Sequence, residues 1–373
     1  MRVDFIFNSR PSSAFIQQNF PLPDEVLREY GAAPKNVIVV CDSNTRVYAG
    51  PFEKAGCNLC VIGAGEDEKN WDSVNLILQR AFASGLGRDS LFLGVGGGVI
   101  TDLTSFAASI YMRSVNLALI STTLLGMTDA ALGGKTGIDV FGVKNLAGTF
   151  YGARFIWTPL DALKTLPARE WKSGFAEIIK TAILDETKAF TDADADAEAD
   201  GWIKDFYALK PFFDANDFKC VDGRGLKKIV SAAIEVKGRI VEADPLEKGV
   251  LRAKLNLGHT FGHALESAAG LGGLSHGEAV AWGVAKACEL GARLKITPPA
   301  RAAVITGLLK DLGYETGSPH PRLKDERAFI TALMGDKKKK NGCLRFITPG
   351  EKGAQIVDVH DEGLGEIKKI TGI

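Results

Sequence analysis

Three histidines carry the sharpest chemical signal in this chain. His259, His263 and His276 fall in one short window, LNLGHTFGHALESAAGLGGLSHGEAV, and the first two are four residues apart, on one face of a helix. Imidazoles grouped in this way suit a divalent metal or acid–base work. A zinc-protease helix would need Glu directly after the first histidine, and Thr260 stands there, which excludes that class. A site with two histidines and room for substrate wants a carboxylate as third ligand. The helical pattern over 170–185 offers one, because Glu170, Glu177 and Lys180 share a stripe beside apolar Phe175, Ile178, Ile179 and Ile183. A solvent-exposed Glu–Lys pair has the same spacing, so both readings stay open. Lys237, Arg252 and Asn256 lie upstream of the histidines and add cationic and hydrogen-bonding groups. The run Lys337–Lys340 reads first as a solvated loop.

Glycine-rich loops are the second signal. The chain has 42 glycines in 373 residues, with no Gly-X-Y period, and that share is above the usual ~7%. The cluster Gly94, Gly96, Gly97, Gly98 follows a strand-like run and opens a helical one, where backbone amides can approach a pyrophosphate. It is not the G-x-G-x-x-G fingerprint, because the last position is Val99. A tight strand-to-helix packing turn would look the same. The segment 126–148 contains GGKT, but a P-loop needs glycine where Asp129 stands. What remains is a flexible, glycine-lined stretch carrying Asp129, Lys135, Lys144 and Asn145. It reads either as donors for anionic ligand atoms or as a solvated loop.

The elements that must hold these residues differ between the two halves. Residues 36–121 alternate short apolar runs (36–42, CVIGAG, 90–98, 116–121) with helical stretches near 44–55, 69–85 and 101–111. This predicts a parallel sheet with crossover helices. From about 167 onward the spacing is helical, over 170–185, 226–242, 259–270, 277–294, 299–312 and 326–334, with a small strand pair at 343–348 and 354–359. Residues 185–225, rich in Asp, Ala and Phe, read as a surface excursion without a calcium loop. The expected fold class is α/β. An N-terminal nucleotide-binding α/β domain with a parallel sheet (1–166) precedes a mostly α-helical C-terminal domain (167–373), and a cleft between them is the default site.

Composition narrows the function classes. The 45 basic and 45 acidic residues cancel, which argues against a nucleic-acid coat, a basic membrane anchor or an acidic tail. The N-terminus lacks a signal-like apolar stretch, and no ~18-residue apolar run occurs. The six cysteines are scattered; they read as reduced and cytoplasmic, with the lone pair Cys57 and Cys60 a coincidence.

Taken together, the segments GGGVITDL, STTLLGMTDAALGGKT, KNLAGTFY, LKTLPAREWKSGFAEIIK, KLNLGHTFGHALE and SHGEAVAWG resemble 3-dehydroquinate synthase, of the sugar phosphate cyclase group. They run in family order from about residue 36 to 348. The resemblance implies NAD and one divalent metal (zinc or cobalt) as cofactors, a phosphorylated sugar acid as substrate and a homodimer. It implies conversion of 3-deoxy-D-arabino-heptulosonate 7-phosphate to 3-dehydroquinate and phosphate, a step of the shikimate pathway. By position, it places the metal on Glu177, His259 and His276. It places NAD on Asp42, Asn44, Glu66, Lys69, Gly97, Gly98, Asp102, Thr122, Thr123, Lys144, Thr165 and Glu170, with Asp129 and Lys135 near the nicotinamide. Substrate contacts fall on Lys135, Asn145, Lys180, Lys237, Arg252, Asn256 and His263, and on Lys337 of the DKK motif. Arg113 matches an arginine that family dimers lend to the neighbouring site. The chain departs from the family pattern at Asp139, where Asn is common, in the stretch KGVLR, which is one residue longer, and at Gly152-Ala153 in place of Gln-Pro. Rival readings are another sugar phosphate cyclase, a metal-dependent alcohol or glycerol dehydrogenase, and an inactive NAD-binding scaffold.

Overall fold

Apolar runs of five or six residues are too short to bury as helices, and in the first part of the chain they become strands. The computed structural model describes residues 1–187, 201–221, 223–270, 273–339, 343–360 and 363–373, with 336–339 by backbone only. Two compact units emerge: residues 1–166 with 226–246, and residues 167–225 with 247–373. The segment 226–246 therefore groups with the first unit, whereas the sequence placed it in the second domain.

The first unit runs β1 (Arg2–Phe7), β2 (Arg10–Gln17), α1 (Pro23–Tyr30), β3 (Val37–Asp42), α2 (Arg46–Lys54), β4 (Asn58–Ile62), α3 (Trp71–Ala83), β5 (Leu91–Gly96), α4 (Gly98–Ile110), β6 (Asn116–Ser121), β7 (Ile138–Val140), β8 (Val143–Ala147) and β9 (Phe155–Pro159). Seven strands form one sheet in the order β1-β2-β9-β6-β5-β3-β4. All its pairings are parallel except the β1–β2 edge hairpin. β5 is buried along its whole length and β3 up to Asp42, as expected of parallel strands covered on both faces. One face gathers Val37, Val39, Phe52, Leu91, Leu93, Ile120 and Trp157 into a core. Each such side chain contributes about 1.5–3 kcal/mol relative to leaving it exposed. β3 pairs with β4 on one side and β5 on the other. The chain thus reverses direction across the sheet at β3, and open α/β sheets bind ligands at the carboxyl ends of strands at such a switch point.

Sequence reading missed β1, β2, α1 and β9, and it described 126–148 as flexible. That segment carries regular structure. Gly126–Ala130 forms a π-helical turn with Met127 and Thr128 buried, followed by the β7–β8 hairpin. Cys57 and Cys60 are free, buried thiols.

The second unit contains α5 (Ala168–Ile183) and α6 (Trp202–Ala215). After α7 (Gly223–Ala243), most of which lies in the first unit, follow α8 (His259–Ala269), α9 (His276–Arg293), α10 (Pro299–Asp311), α11 (Glu326–Lys339), β10 (Leu344–Pro349), β11 (Ala354–Val359) and α12 (Leu364–Thr371). β10 and β11 pair antiparallel. Phe261, Leu265, Trp282, Phe329, Phe346 and Ile370 form its core. The expected surface excursion at 185–225 is corrected. Residues 188–200 lie outside the described residues, but α6 buries Trp202, Phe206 and Phe213, which join Phe175 and Phe218 in one aromatic cluster. Acidic residues in that stretch hid an aromatic face with helical spacing.

α5, α8 and α9 meet at backbone distance. A Cβ on Gly277 would lie 2.2 Å from the Ser173 carbonyl oxygen of α5, and one on Gly283 would lie 2.0 Å from the Gly258 carbonyl just before α8. These glycines let three helices close on one another. Gly277→Ala should therefore destabilise the protein by roughly 1–3 kcal/mol or more, the range for overpacking. Urea denaturation checks this, and an unchanged midpoint would refute the close-contact account.

Candidate metal and dinucleotide sites

Glu177 sits in the middle of α5 on its buried face, with about 1% of its side chain accessible. The exposed Glu–Lys alternative is thereby overturned, because Lys180 is equally buried and its ammonium rests against Glu177 Oε2. His259 opens α8 and His276 opens α9, the latter just after a Ser275–Glu278 capping box. His276 Nε2 lies 3.4 Å and His259 Nε2 3.7 Å from Glu177 Oε1. One ligand atom from each of the three residues falls within 4.8 Å of the others. Ligand atoms around a tetrahedral zinc, with bonds near 2.0–2.1 Å, are separated by about 3.3 Å. The donor set therefore fits a divalent cation with little movement. The carboxylate supports the fit, since both its oxygens are sealed from solvent and, beyond the Lys180 ion pair, neither receives a well-formed hydrogen bond among the described residues.

Outer partners orient both imidazoles. His259 Nδ1 lies 3.2 Å from the Leu257 carbonyl oxygen, an acceptor for its N–H that leaves Nε2 directed at Glu177. His276 Nδ1 lies 3.6 Å from Glu266 Oε1. Glu266 was missed in the sequence, although it is seven residues after His259 and so shares its helix face. Burial and the Lys180 charge push His259 down to about 3. On His276 burial opposes the charged form, but Glu177 and Glu266 outweigh it and raise the group to about 10. Despite burial, Lys180 and the two histidines hold Glu177 well below the usual carboxylate range. His263, exposed, forms an overlapping group with Glu266 and His276. Arg252 is buried in the same unit, and Asn256 Nδ2 donates to Glu247 Oε1 at 3.1 Å. Glu170 is half-buried in the first turn of α5, and the Lys337 side chain lies outside the described residues.

In the first unit, Asp42 ends β3 and Gly97 caps α4, both at the switch point. A Cβ on Gly97 would press within 2.8 Å of Thr123 Cγ2, whereas one on Gly98 would meet nothing closer than 3.6 Å. The turn thus serves packing and also presents the unpaired amides of a 13-residue helix, a fit for a dinucleotide pyrophosphate. Asp42 Oδ1 accepts from the backbone N–H and hydroxyl of Thr45. Thr122 is buried behind Gly96, and Thr123 Oγ1 accepts from Gly126 N–H. Asn44, Glu66, Lys135, Lys144 and Thr165 are exposed. Arg113 is exposed too, in a run with Met112 and Ser114 where φ is positive at all three.

Two expected ligand contacts are paired with each other. Lys69, about 5% exposed, reaches Asp102 Oδ2 at 2.6 Å and donates to Asn145 Oδ1 at 2.5 Å. Burial pushes the Asp102 carboxyl up to about 6 even with Lys69 beside it, while Asp102 holds the Lys69 ammonium raised against its own desolvation. Lys237 likewise donates to Asp129, at 2.6 Å to Oδ1 and 2.7 Å to the carbonyl.

Solved structures share this fold over essentially the whole chain. A 2-epi-5-epi-valiolone synthase from Streptomyces hygroscopicus subsp. jinggangensis, with NAD+ and Zn2+ bound, is 26% identical with a TM-score of 0.77, covering 96% of this chain and 95% of its own. A 2-deoxy-scyllo-inosose synthase complexed with carbaglucose-6-phosphate, NAD+ and Co2+ has a TM-score of 0.79 at 23% identity, covering 99% and 100%. The 3-dehydroquinate synthase N-terminal family profile matches residues 59–173 and the C-terminal profile residues 174–339. A 3-dehydroquinate synthase from Prochlorococcus marinus is 34% identical over 359 residues, covering 94% of this chain and 92% of the relative. The chain belongs to the 3-dehydroquinate synthase family.

The position of Asp102 makes a pH prediction. Its native value, about 6, lies above the usual carboxylate value. A group so shifted stabilises the fold fully below its unfolded value, near 3.9, and loses that contribution as pH rises through the native one. Asp102→Asn should therefore match the parent in Tm near pH 4 and exceed it by a few degrees at pH 7. A constant Tm difference across that range would contradict the assignment.

Proposed function

We propose that this protein is a 3-dehydroquinate synthase, converting 3-deoxy-D-arabino-heptulosonate 7-phosphate to 3-dehydroquinate and phosphate by transient oxidation, phosphate elimination, reduction and intramolecular aldol closure. The observation that carries the reading is the convergence of His259 and His276 on the buried Glu177 carboxylate, in a chain of this family. When bound, a divalent cation supplies Lewis-acid stabilisation of hydroxyl oxygens and NAD+ a hydride acceptor that is regenerated. Glu177, His259 and His276 are the cation's ligands. Lys180 neutralises the carboxylate and keeps it ionised, which leaves both imidazoles in ligand position.

The dinucleotide lies at the β3–β5 switch point, with its pyrophosphate on the Gly97–Gly98 amides. Asp42, Asn44, Glu66, Lys69, Asp102, Thr122, Thr123, Lys144, Thr165 and Glu170 complete its contacts, and Asp129 and Lys135 stand near its reactive end. Lys135, Asn145, Lys237, Arg252, Asn256, His263 and Lys337 hold the substrate. Their cations fix the phosphate and carboxylate so that successive steps keep one geometry. A neutral-ended sugar would not need the cationic pair Lys237 and Arg252, which favours a carboxylated substrate over those of other cyclases. The main domain boundary falls at 166/167, with 226–246 grouping with the first unit; the enzyme works in the cytoplasm, and it is a homodimer in which Arg113 serves the neighbouring site.

Two measurements test this reading. Purified protein given the heptulosonate phosphate, NAD+ and Zn2+ or Co2+ should release phosphate with no accumulation of NADH. A dehydrogenase would accumulate NADH instead, and absence of phosphate release after metal reconstitution would overturn the assignment. His276→Ala should lose stoichiometric metal, read by elemental analysis, and phosphate release, yet bind NAD+ within about twofold of the parent. Full metal retention would remove His276 from the ligand set.

A further inference from the structure

The β7–β8 hairpin breaks its own register. Ile138 faces Ala147 and Val140 faces Val143, with a shift between these pairs that accommodates two extra residues on β8. Asn145 sits at this irregularity with φ of +53°, a left-handed conformation uncommon for any residue but glycine, with Asn among the few that tolerate it. Bulges re-aim side chains, and this one needs a local support.

Asp139 supplies the support at both ends. Its carboxylate Oδ1 accepts the Asn145 backbone N–H at 2.7 Å, and its own N–H donates to the Lys69 carbonyl at 2.7 Å. Lys69 then returns its ammonium to Asn145 Oδ1 at 2.5 Å. An ammonium can only donate, so the Asn145 amide is fixed with its oxygen toward Lys69. Its Nδ2 group, without a hydrogen-bond acceptor among the described residues, is left to offer its N–H donors from an exposed residue. A group that presents donors alone selects an acceptor oxygen on a ligand, such as one of a phosphate, carboxylate or hydroxyl.

We propose that Asp139 is a positioning residue for this reaction: it holds the strained Asn145 backbone and, with Lys69, fixes the amide so that Nδ2 donates to an oxygen of the substrate. The inference rests on the reading of Asn145 as a substrate contact. It extends that reading to a residue that touches neither ligand and acts through Asn145. The chemistry requires only an acceptor oxygen at position 139, so asparagine there preserves the clamp, whereas alanine removes it.

The test compares Asp139→Ala, Asp139→Asn and the parent in the holoenzyme. Losing one supported hydrogen bond should raise KM for the heptulosonate phosphate about tenfold in Asp139→Ala. NAD+ affinity, read by fluorescence without substrate, should stay within about twofold, and Asp139→Asn should return KM to within about threefold of the parent. Hydrogen exchange of the Asn145 amide reads the clamp without any turnover; it should be protected in the parent and in Asp139→Asn and fast in Asp139→Ala. Fast exchange in the parent would overturn the clamp. Parent-like KM in Asp139→Ala would overturn its role in the reaction, as would equal damage to KM and NAD+ affinity in both variants. If the parent itself releases no phosphate, the functional reading fails, while the exchange result still decides whether Asp139 holds Asn145.

Discussion

A carboxylate sealed from water is the constraint on which the second unit turns. Glu177 is about 1% exposed, and an isolated buried carboxylate would cost several kcal/mol or else take up a proton. It stays ionised because Lys180 lies one helical turn away and two imidazoles converge on its other oxygen. The imidazoles come from α8 and α9, so three helices must meet around one functional group. The same helices approach so closely that there is no room for side chains at Gly277 and Gly283. A cation held by this triad would take the place of protons and complete the charge balance, and the outer contacts to Leu257 and Glu266 aim the rings for it.

The first unit solves the mirror problem with a buried cation. Lys69 is nearly sealed from solvent and is balanced by Asp102, while a second of its three N–H donors reaches Asn145. One ammonium thereby ties α4, which begins at the glycine turn, to the β7–β8 hairpin. The same economy recurs where Lys237 grips Asp129 twice. A protein with zero net charge can thus concentrate cations where an anionic substrate requires them, because each is matched locally and not across the surface.

Much of the architecture was legible because its signals are local. The strands at 37–42, 91–96 and 116–121 are apolar runs bounded by turn residues, and α8, α9 and α10 follow helical spacing to within about two residues. Strand β2, RPSSAFIQ, was not legible: its two buried serines break the apolar run, and its place is set by pairing with β9, far along the chain. Helix α6 was obscured by the acidic composition around it, although Trp202, Phe206 and Phe213 form its buried face. Of the candidate site, the histidine window and the glycine turn could be found by type and spacing alone. Glu266 and Asp139 could not, since each acts through a neighbour that only folding brings alongside.

By itself the sequence determined the family, the central strands and crossover helices of the first half, most helices of the second, and the identity of the groups able to bind metal, since motif spacing and hydrophobic period are properties of neighbours along the chain. Tertiary structure alone decided that Glu177 and Lys180 are buried and not a solvated pair, that Lys69 spends its charge on Asp102 and Asn145, and that glycines 277 and 283 serve helix contact. Each of those outcomes depends on what lies across space from a side chain. Burial changes the energy of a charge by several kcal/mol, and a residue's burial is set by partners distant in sequence.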